Sequence, residues 1–234
     1  MNKVGIIAAM QEELDEIIKI MTDTKKETIY EIEFLHGKIQ NKEVIAVKSG
    51  IGKVNAGRTT QILIDKYNVD NVINVGSAGA LNPEINIGDI VIGDKLIQHD
   101  FDITAFNHEK GFITGVGDYL CSDIGLIEKF ENTVNILSNN EYKITKGVIA
   151  SGDIFCTEIK MKEKIFSKFN AQCVEMEGAA IAQVCYLDKI PFLVIRGISD
   201  TPNGHNEMDY YTYCHIAAKH AAEFLQDLLW EDIY

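Results

Sequence analysis

The chain has 234 residues, 46% of them hydrophobic and 24% charged, with a formal net charge of -13 and a sequence pI near 4.9. This length suits a single α/β domain with a sizeable core, and the composition excludes disorder, collagen-like repeats and a coiled coil. The acidic balance, with Arg58 and Arg196 as the only arginines, excludes a nucleic-acid footprint and leaves few bidentate groups for phosphate.

Val4 to Met10 is an apolar run too continuous to have a solvated face, so it reads as a buried strand. Behind it Gln11-Glu12-Glu13 leads into Leu14, Ile17, Ile18 and Met21 at helical spacing, which places Glu13 in a first helical turn. There the dipole and free backbone N–H groups favour an ionised carboxylate, a reasonable base at a strand end. Glu12 and Glu13 could equally do no more than complement the dipole. Val44 to Val47 reads as a strand followed by Ser49-Gly50-Ile51-Gly52-Lys53-Val54 and a helical pattern at Ile62, Leu63 and Tyr67. Val72 to Val75 reads as another, followed by Gly76-Ser77-Ala78-Gly79. Glycines there permit close backbone approach to a ligand, although tight turns without a ligand fit as well. Neither string has the spacing of Gly-x-Gly-x-x-Gly or a Walker loop, so a dinucleotide or a nucleoside triphosphate is not expected.

Ile90 to Ile92 and Gly147 to Ala150 are further strands. Val174-Glu175-Met176-Glu177 precedes a small apolar helix carrying Ile181, Val184 and Cys185, and Phe192 to Ile198 is a strand that delivers Ser199 and Asp200. A partly buried carboxyl favours its protonated form, so Asp200 suits proton donation, with Ser199 beside it to orient it. As a cap or turn residue before Pro202 and Gly204 it would need no such role. Tyr210 to Leu229 places Ile216, His220, Phe224 and Leu228 on one stripe, with Ala217, Ala221 and Leu225 beside it, a long amphipathic helix suited to covering a sheet face.

Strands alternating with helices imply an α/β architecture, and with three prolines, no linker and no repeat, one domain over residues 1–234. Ligands of open α/β sheets bind beyond the carboxyl ends of the strands. Glu13, Glu177 and Asp200 all fall at such ends. One ionised carboxylate, one able to hold a proton and a third near Met176 match the division of labour in glycosidic hydrolysis. There an acid neutralises the leaving group while water is activated against an oxocarbenium-like centre.

No apolar run of about 18 residues occurs and the first residues lead straight into a strand, so neither a membrane span nor a secretory signal is expected and the address is cytoplasmic. Cys121, Cys156, Cys173, Cys185 and Cys214 contain no Cys-x-x-Cys pair and read as reduced thiols buried as small hydrophobes, with no metal indicated.

Taken in order, Gly5 to Met10 with Glu13, Lys48 to Val54, Asn74 to Gly79, Gly88 to Val91, His99 to Phe106, Ser151 to Asp153, Val174 to Glu177 and Ser199-Asp200 make the chain resemble the bacterial 5′-methylthioadenosine/S-adenosylhomocysteine nucleosidases of the purine nucleoside phosphorylase superfamily. The resemblance runs nearly end to end. It implies a single-domain, three-layer α/β/α fold with a central mixed twisted sheet, and hydrolysis of the N-glycosidic bond of 5′-methylthioadenosine, S-adenosylhomocysteine and 5′-deoxyadenosine in methionine salvage, without a cofactor. It implies that Glu13 activates water, that Asp200 acts at the purine N7 position and that Glu177 grips the ribose hydroxyls. Met10 and Met176 would line the ribose, with Ser77, Ala78 and Gly79 along it and Glu175 and Ser199 among the substrate-binding positions. Phe155 would stack on the base, the backbone at Cys156 would read the base edge, and Arg196 would support the catalytic loop or serve only as an ion-pair partner.

For the 5′ substituent the resemblance implies an apolar pocket of Ile51 and Tyr210, completed by Ile103 and Phe106 of a neighbouring subunit, and hence a homodimer. Tyr210 stands where the family often has Phe, and His108 with Thr114 where others have Tyr and Pro. Some relatives accept 6-amino-6-deoxyfutalosine, which no residue here excludes. A nucleoside phosphorylase would share the fold but needs cationic groups around phosphate. A non-catalytic nucleoside-binding protein would be marked by lost acids, and all three are present.

Overall fold

The computed structural model describes residues 3–136, 142–202 and 206–230. The first buried run forms β1 (Lys3–Ala8), which ends two residues before the expected limit because Ala9 and Met10 bend into α1 (Gln11–Ile20). A hairpin of β2 (Thr22–Ile29) and β3 (Ile32–Ile39) follows, then β4 (Lys42–Lys48), α2 (Lys53–Tyr67), β5 (Asn71–Ala80) and β6 (Ile90–Gln98). One 3-10 turn at Thr104–Phe106 precedes β7 (Leu120–Cys121), α3 (Ile124–Ile136) and β8 (Ile144–Ser151). The chain closes with α4 (Ile159–Phe169), β9 (Ala171–Glu175), α5 (Gly178–Asp188), β10 (Phe192–Asp200) and α6 (Asn206–Trp230).

The strands of the described residues form one mixed sheet in which β4, β1, β5 and β10 run parallel. The sheet also curls on itself. β10 pairs antiparallel with β6, β6 and β8 pair parallel, β8 pairs parallel with β9, and β9 returns antiparallel to the end of β5 at Gly79 and Ala80. Five strands therefore close into a ring.

Helices cover both faces. The α1, α3 and α6 side shares a core with Ile6, Ile73 and Ile195, while α2 and α5 pack Leu63, Ile181 and Cys185 against Ile7, Val72 and Val194. This alternation along β1, β5 and β10 explains why these strands lack a polar face: each side meets a helical layer. The three-layer mixed-sheet architecture expected from the sequence is present. On α6 the deepest positions are Ala217, Ala221, Phe224, Leu225, Leu228 and Leu229, whereas His220 is half-buried, donates from Nδ1 to Gly88 O at 2.8 Å, and stacks on Tyr142.

The hairpin, α3 and β9 carry no clear sequence pattern, and the helical spacing of Ile165 and Phe169 in α4 went unread. β2 is exposed nearly throughout, and its turn uses Tyr30 and Glu31 in left-handed conformations instead of the usual Asn-Gly or Asp-Gly signal. Cys156, Cys173 and Cys185 are buried as expected, but Cys121, on the short β7, is exposed and Cys214 is half-buried. No helix among the described residues is long and apolar enough to cross a membrane.

Candidate active site

A cavity of about 480 Å³ opens at the carboxyl ends of β1, β5, β9 and β10. Glu13 forms part of its floor. As the third residue of α1, it turns its Oε2 back to accept from the N–H groups of Ala9 (2.9 Å) and Met10 (3.1 Å), the reach of an N-terminal capping carboxylate. Its Oε1 instead accepts from Ser77 N (2.8 Å) and Ser77 Oγ (3.0 Å), across on β5. The sequence expectation of a first-turn carboxylate is met, and the second pair of donors ties it to the sheet as well as to its own helix.

Asp200 is the last residue of β10, not a turn residue. A register shift between Ile198 and Asp200 sets Ser199 as the extra residue and places Asp200 opposite Gly79. Its Oδ1 accepts from Ser199 Oγ (3.1 Å), and its Oδ2 meets the ammonium of Lys162 from α4 at 2.6 Å. Lys162 is buried, as is Asp200, and it lies 3.4 Å from Thr201 O. The two glycines of β5 make room for the two acids. A Cβ at Gly76 would lie 2.8 Å from Glu13 Oε1, and one at Gly79 would lie 2.9 Å from Asp200 Oδ2. The close approach that the Gly-Ser-Ala-Gly string permits is thus made by the protein's own carboxylates.

Glu175 and Glu177 sit two residues apart with opposite environments. Glu175 Oε2 accepts from the N–H groups of Glu177 (3.0 Å) and Gly178 (2.7 Å) and from Arg196 Nη2 (2.5 Å), while its Oε1 accepts from Ser151 Oγ. Burial pushes its carboxyl upward, but the Arg196 charge and these hydrogen bonds outweigh burial and hold it below the usual carboxylate range. Arg196 lies beneath the cavity, itself fully buried, and also donates to Asn74 Oδ1 and to Ile195 O (3.0 Å). Burial lowers its affinity for a proton, yet the adjacent Glu175 charge more than restores it. Glu177, the N-cap residue of α5, has one partner among these contacts, Gly52 N donating to Oε1 at 2.8 Å. Burial, followed by the negative charge of Glu175, pushes its carboxyl up to about 8.

The glycine-rich loop before α2 is fixed by Lys53, whose ammonium meets Asp100 Oδ1 at 2.6 Å and Gln98 Oε1 at 3.0 Å. Lys53 N donates to Asp153 Oδ1, and Asp153 N to Asp100 Oδ2. These contacts account for Asp100 and Asp153 as loop anchors, while Gly152 leaves room for the buried His99 ring, whose Nε2 a Cβ there would strike. Ile51, Phe155 and Cys156 line the cavity from these loops, and Phe155 meets Tyr210 edge-on at 5.5 Å between ring centroids. Tyr210 also donates to Met10 Sδ at 2.7 Å, and burial with the nearby Glu13 charge pushes its phenol upward.

Met10, Ser77, Ala78, Gly79, Met176 and Ser199 line the same cavity. Ile103 and Phe106 do not; they sit at the 3-10 turn, with Phe106 75% exposed. Sequence reasoning missed Ala9, Ile154, Val174 and Tyr211 in the lining, and Ser151, Asn74 and Lys162 behind it. For Lys162 a signal existed: Lys162, Ile165 and Phe169 share helical spacing and form the buried face of α4. No group of three metal-ligating side chains occurs among the described residues.

Residues 3–230 match the Phosphorylase superfamily, the class of protein that this closed sheet and its cavity define. The chain is 42% identical over 228 residues to the 5′-methylthioadenosine/S-adenosylhomocysteine nucleosidase of Shewanella loihica, covering 97% of this chain and 98% of that one. Among solved structures, the nucleosidase of the same name from S. pneumoniae, bound to a transition-state inhibitor, superposes with a TM-score of 0.92 at 38% identity over 97% of this chain and 98% of the other. A futalosine hydrolase of Helicobacter pylori superposes with a TM-score of 0.92 at 34% identity over 97% of each chain. The chain belongs to the 5′-methylthioadenosine/S-adenosylhomocysteine nucleosidase family within that superfamily.

Proposed function

We propose that this enzyme hydrolyses the N-glycosidic bond of 5′-methylthioadenosine and S-adenosylhomocysteine, releasing adenine and the 5-substituted ribose. The observation that carries the reading is the charge of the cavity: among the described residues its lining holds Glu13, Glu175, Glu177 and Asp200 and neither lysine nor arginine. A phosphorylase must seat a phosphate dianion beside the sugar, which calls for cationic donors. Here Arg196 is committed to Glu175, and Arg58 is exposed and donates to Tyr30 O.

In the proposed reaction Asp200 gives or shares a proton with the purine at N7, so the C–N bond breaks with adenine leaving as a neutral base. Positive charge develops on the ribose. Water held by Glu13 attacks the anomeric carbon, its proton passes to the Glu13 carboxylate, and a C–O bond replaces the C–N bond. Glu177 binds the ribose 2′- and 3′-hydroxyls; as a neutral acid at pH 7 it can donate one hydrogen bond and accept others. Met10, Ser77 and Met176 support the sugar, and Phe155 stacks on the base. A cytoplasmic role in methionine salvage goes with this chemistry.

We also infer a homodimer in which each subunit's Ile103 and Phe106 complete the other's 5′ pocket around Ile51 and Tyr210. A futalosine-type substrate is the second reading, favoured by the similarity to the Helicobacter pylori hydrolase. Adenine release from 5′-methylthioadenosine, S-adenosylhomocysteine and 6-amino-6-deoxyfutalosine in phosphate-free buffer tests both. The expected products are adenine and free sugars from the first two. A requirement for phosphate, with ribose 1-phosphate as product, overturns hydrolysis, and cleavage of the futalosine alone selects the second reading.

A further inference from the structure

We propose that Lys162 is a positioning residue for the acid step, clamping Asp200 through Oδ2 so that the other carboxyl oxygen serves the purine, and stabilising the carboxylate that remains once the proton has been given up. This rests on the nucleosidase reading and adds to it a residue outside the cavity lining. Three observations carry it. The Lys162 side chain is 1% exposed, a rare position for a lysine without a charged partner. Its ammonium reaches Asp200 Oδ2 at 2.6 Å, while Oδ1 accepts from Ser199 Oγ, so the two oxygens are already differentiated. It is also delivered by the apolar face of α4, beside Ile165 and Phe169, which fixes the charge relative to the end of β10.

β5 turns the backbone of Ala78 and the bare Cα of Gly79 toward Ser199 and Asp200. Cys156, in the loop after β8, feels Lys162 first, then Asp200 and Glu158, the N-cap residue of α4; burial pushes its thiol up to about 11. Cys173 on β9 feels Arg196, Glu175 and Asp200 and is likewise pushed upward by burial. On α6, Tyr210 is pushed upward by burial and by Glu13. Burial thus favours the neutral forms of Cys156, Cys173 and Tyr210, and the charged groups acting on the two thiols besides the pair itself are Glu158, Glu175 and Arg196, with Glu177 raised to about 8 on the same cavity.

Two opposed effects follow. An adjacent cation favours the ionised carboxylate, so fewer molecules hold the proton at high pH. The same cation stabilises the negative charge that appears as the proton moves to N7, in a site where no reorganisation is needed. Replacing Lys162 by a neutral side chain of similar size therefore moves the basic limb of the pH profile upward while lowering the plateau. A merely structural lysine would lower rate or stability without moving the limb.

The test compares kcat and KM for adenine release from 5′-methylthioadenosine between pH 5 and 10 in wild type, Lys162→Met and Lys162→Arg, and in Asp200→Asn with and without Lys162→Met. In Lys162→Met the basic limb of kcat should rise by at least about one pH unit and the plateau fall about 10- to 100-fold, with KM changed less than about 3-fold. Lys162→Arg should keep the limb within about 0.5 unit of wild type. In the Asp200→Asn background the second substitution should change the residual rate less than about 2-fold. A limb unmoved in Lys162→Met, a limb moved as far by Lys162→Arg, or an undiminished effect in the Asp200→Asn background overturns the clamp. Lys162→Gln is read in the same way if the Met variant does not fold. Failure of the wild type to release adenine overturns the nucleosidase reading and the clamp with it; an active wild type with an unmoved limb overturns the clamp alone.

Discussion

Glu13 accepts four hydrogen bonds, two on each oxygen, and every donor is an N–H or the Ser77 hydroxyl. A glutamine there must turn its own NH2 against one of these pairs, leaving buried donors facing a donor. Glu13→Gln should therefore lower kcat by at least about 10²-fold, as expected for loss of a general base. It should also cost about 1–3 kcal/mol of stability. Asp200→Asn should lower kcat by at least about 10²-fold as well. Steady-state kinetics paired with thermal melts separate the two effects, and near-wild-type turnover in either variant overturns the assigned role. Glu177 differs because its carboxyl is raised to about 8 when folded, chiefly by burial. A raised carboxyl binds its proton more tightly in the folded chain. Its contribution to stability is full below the unfolded value near 4.5 and is lost as pH rises toward and through 8. Glu177→Gln should hence melt with wild type at pH 4 but about 2–4 °C above it at pH 9 for each kcal/mol recovered. Equal melting temperatures at both pH values would show the carboxyl to be unstrained.

At the scale of elements, the apolar strands were legible because burial on both faces leaves a continuous run, as in β1, β5 and β10. The hairpin was not, since β2 reads Thr-Asp-Thr-Lys-Lys-Glu-Thr-Ile and meets solvent for most of its length. On α4 the helical spacing of Ile165 and Phe169 was there to be read, but its four lysines at 160, 162, 164 and 168 look alike in sequence although one of them is buried. For β5 the residues were legible and their purpose was not. Gly76 and Gly79 are small because Glu13 and Asp200 press on them, and that contact joins residues 63 and 121 positions apart. Gly79→Ala puts a methyl group 2.9 Å from Asp200 Oδ2 and must displace the carboxylate or the strand. Since about 1 Å of misplacement can cost on the order of 10²-fold, kcat should fall at least about 10-fold while KM moves little. Unchanged kcat would mean that the acid tolerates the shift.

At the scale of the whole molecule, closure of β5, β10, β6, β8 and β9 into a ring gathers carboxylates from positions 175, 177 and 200 around one hollow, and α1, following β1 beside β5, adds Glu13. Sequence patterns report which segments are strands, but the pairing of β9 back to β5 rests on just two residue pairs and leaves no periodic trace. The same limit applies to surfaces. Ile51 lines the cavity yet is 52% exposed, Val54 is 81% exposed and Phe106 75%, apolar groups that one copy of the chain leaves in water. Exposed apolar side chains of this size mark association surfaces more often than free ones when they cluster. In the inferred homodimer they meet across the subunit boundary, and Phe106 closes the 5′ side of the other subunit's cavity. Phe106→Asp would bury a charge in that contact. Sedimentation should then shift from dimer toward monomer, and KM for 5′-methylthioadenosine should rise about 10-fold or more, the cost of losing an apolar wall worth about 1–3 kcal/mol. A wild type that sediments as a monomer, or a Phe106→Asp dimer with unchanged KM, would remove the neighbouring subunit from the pocket.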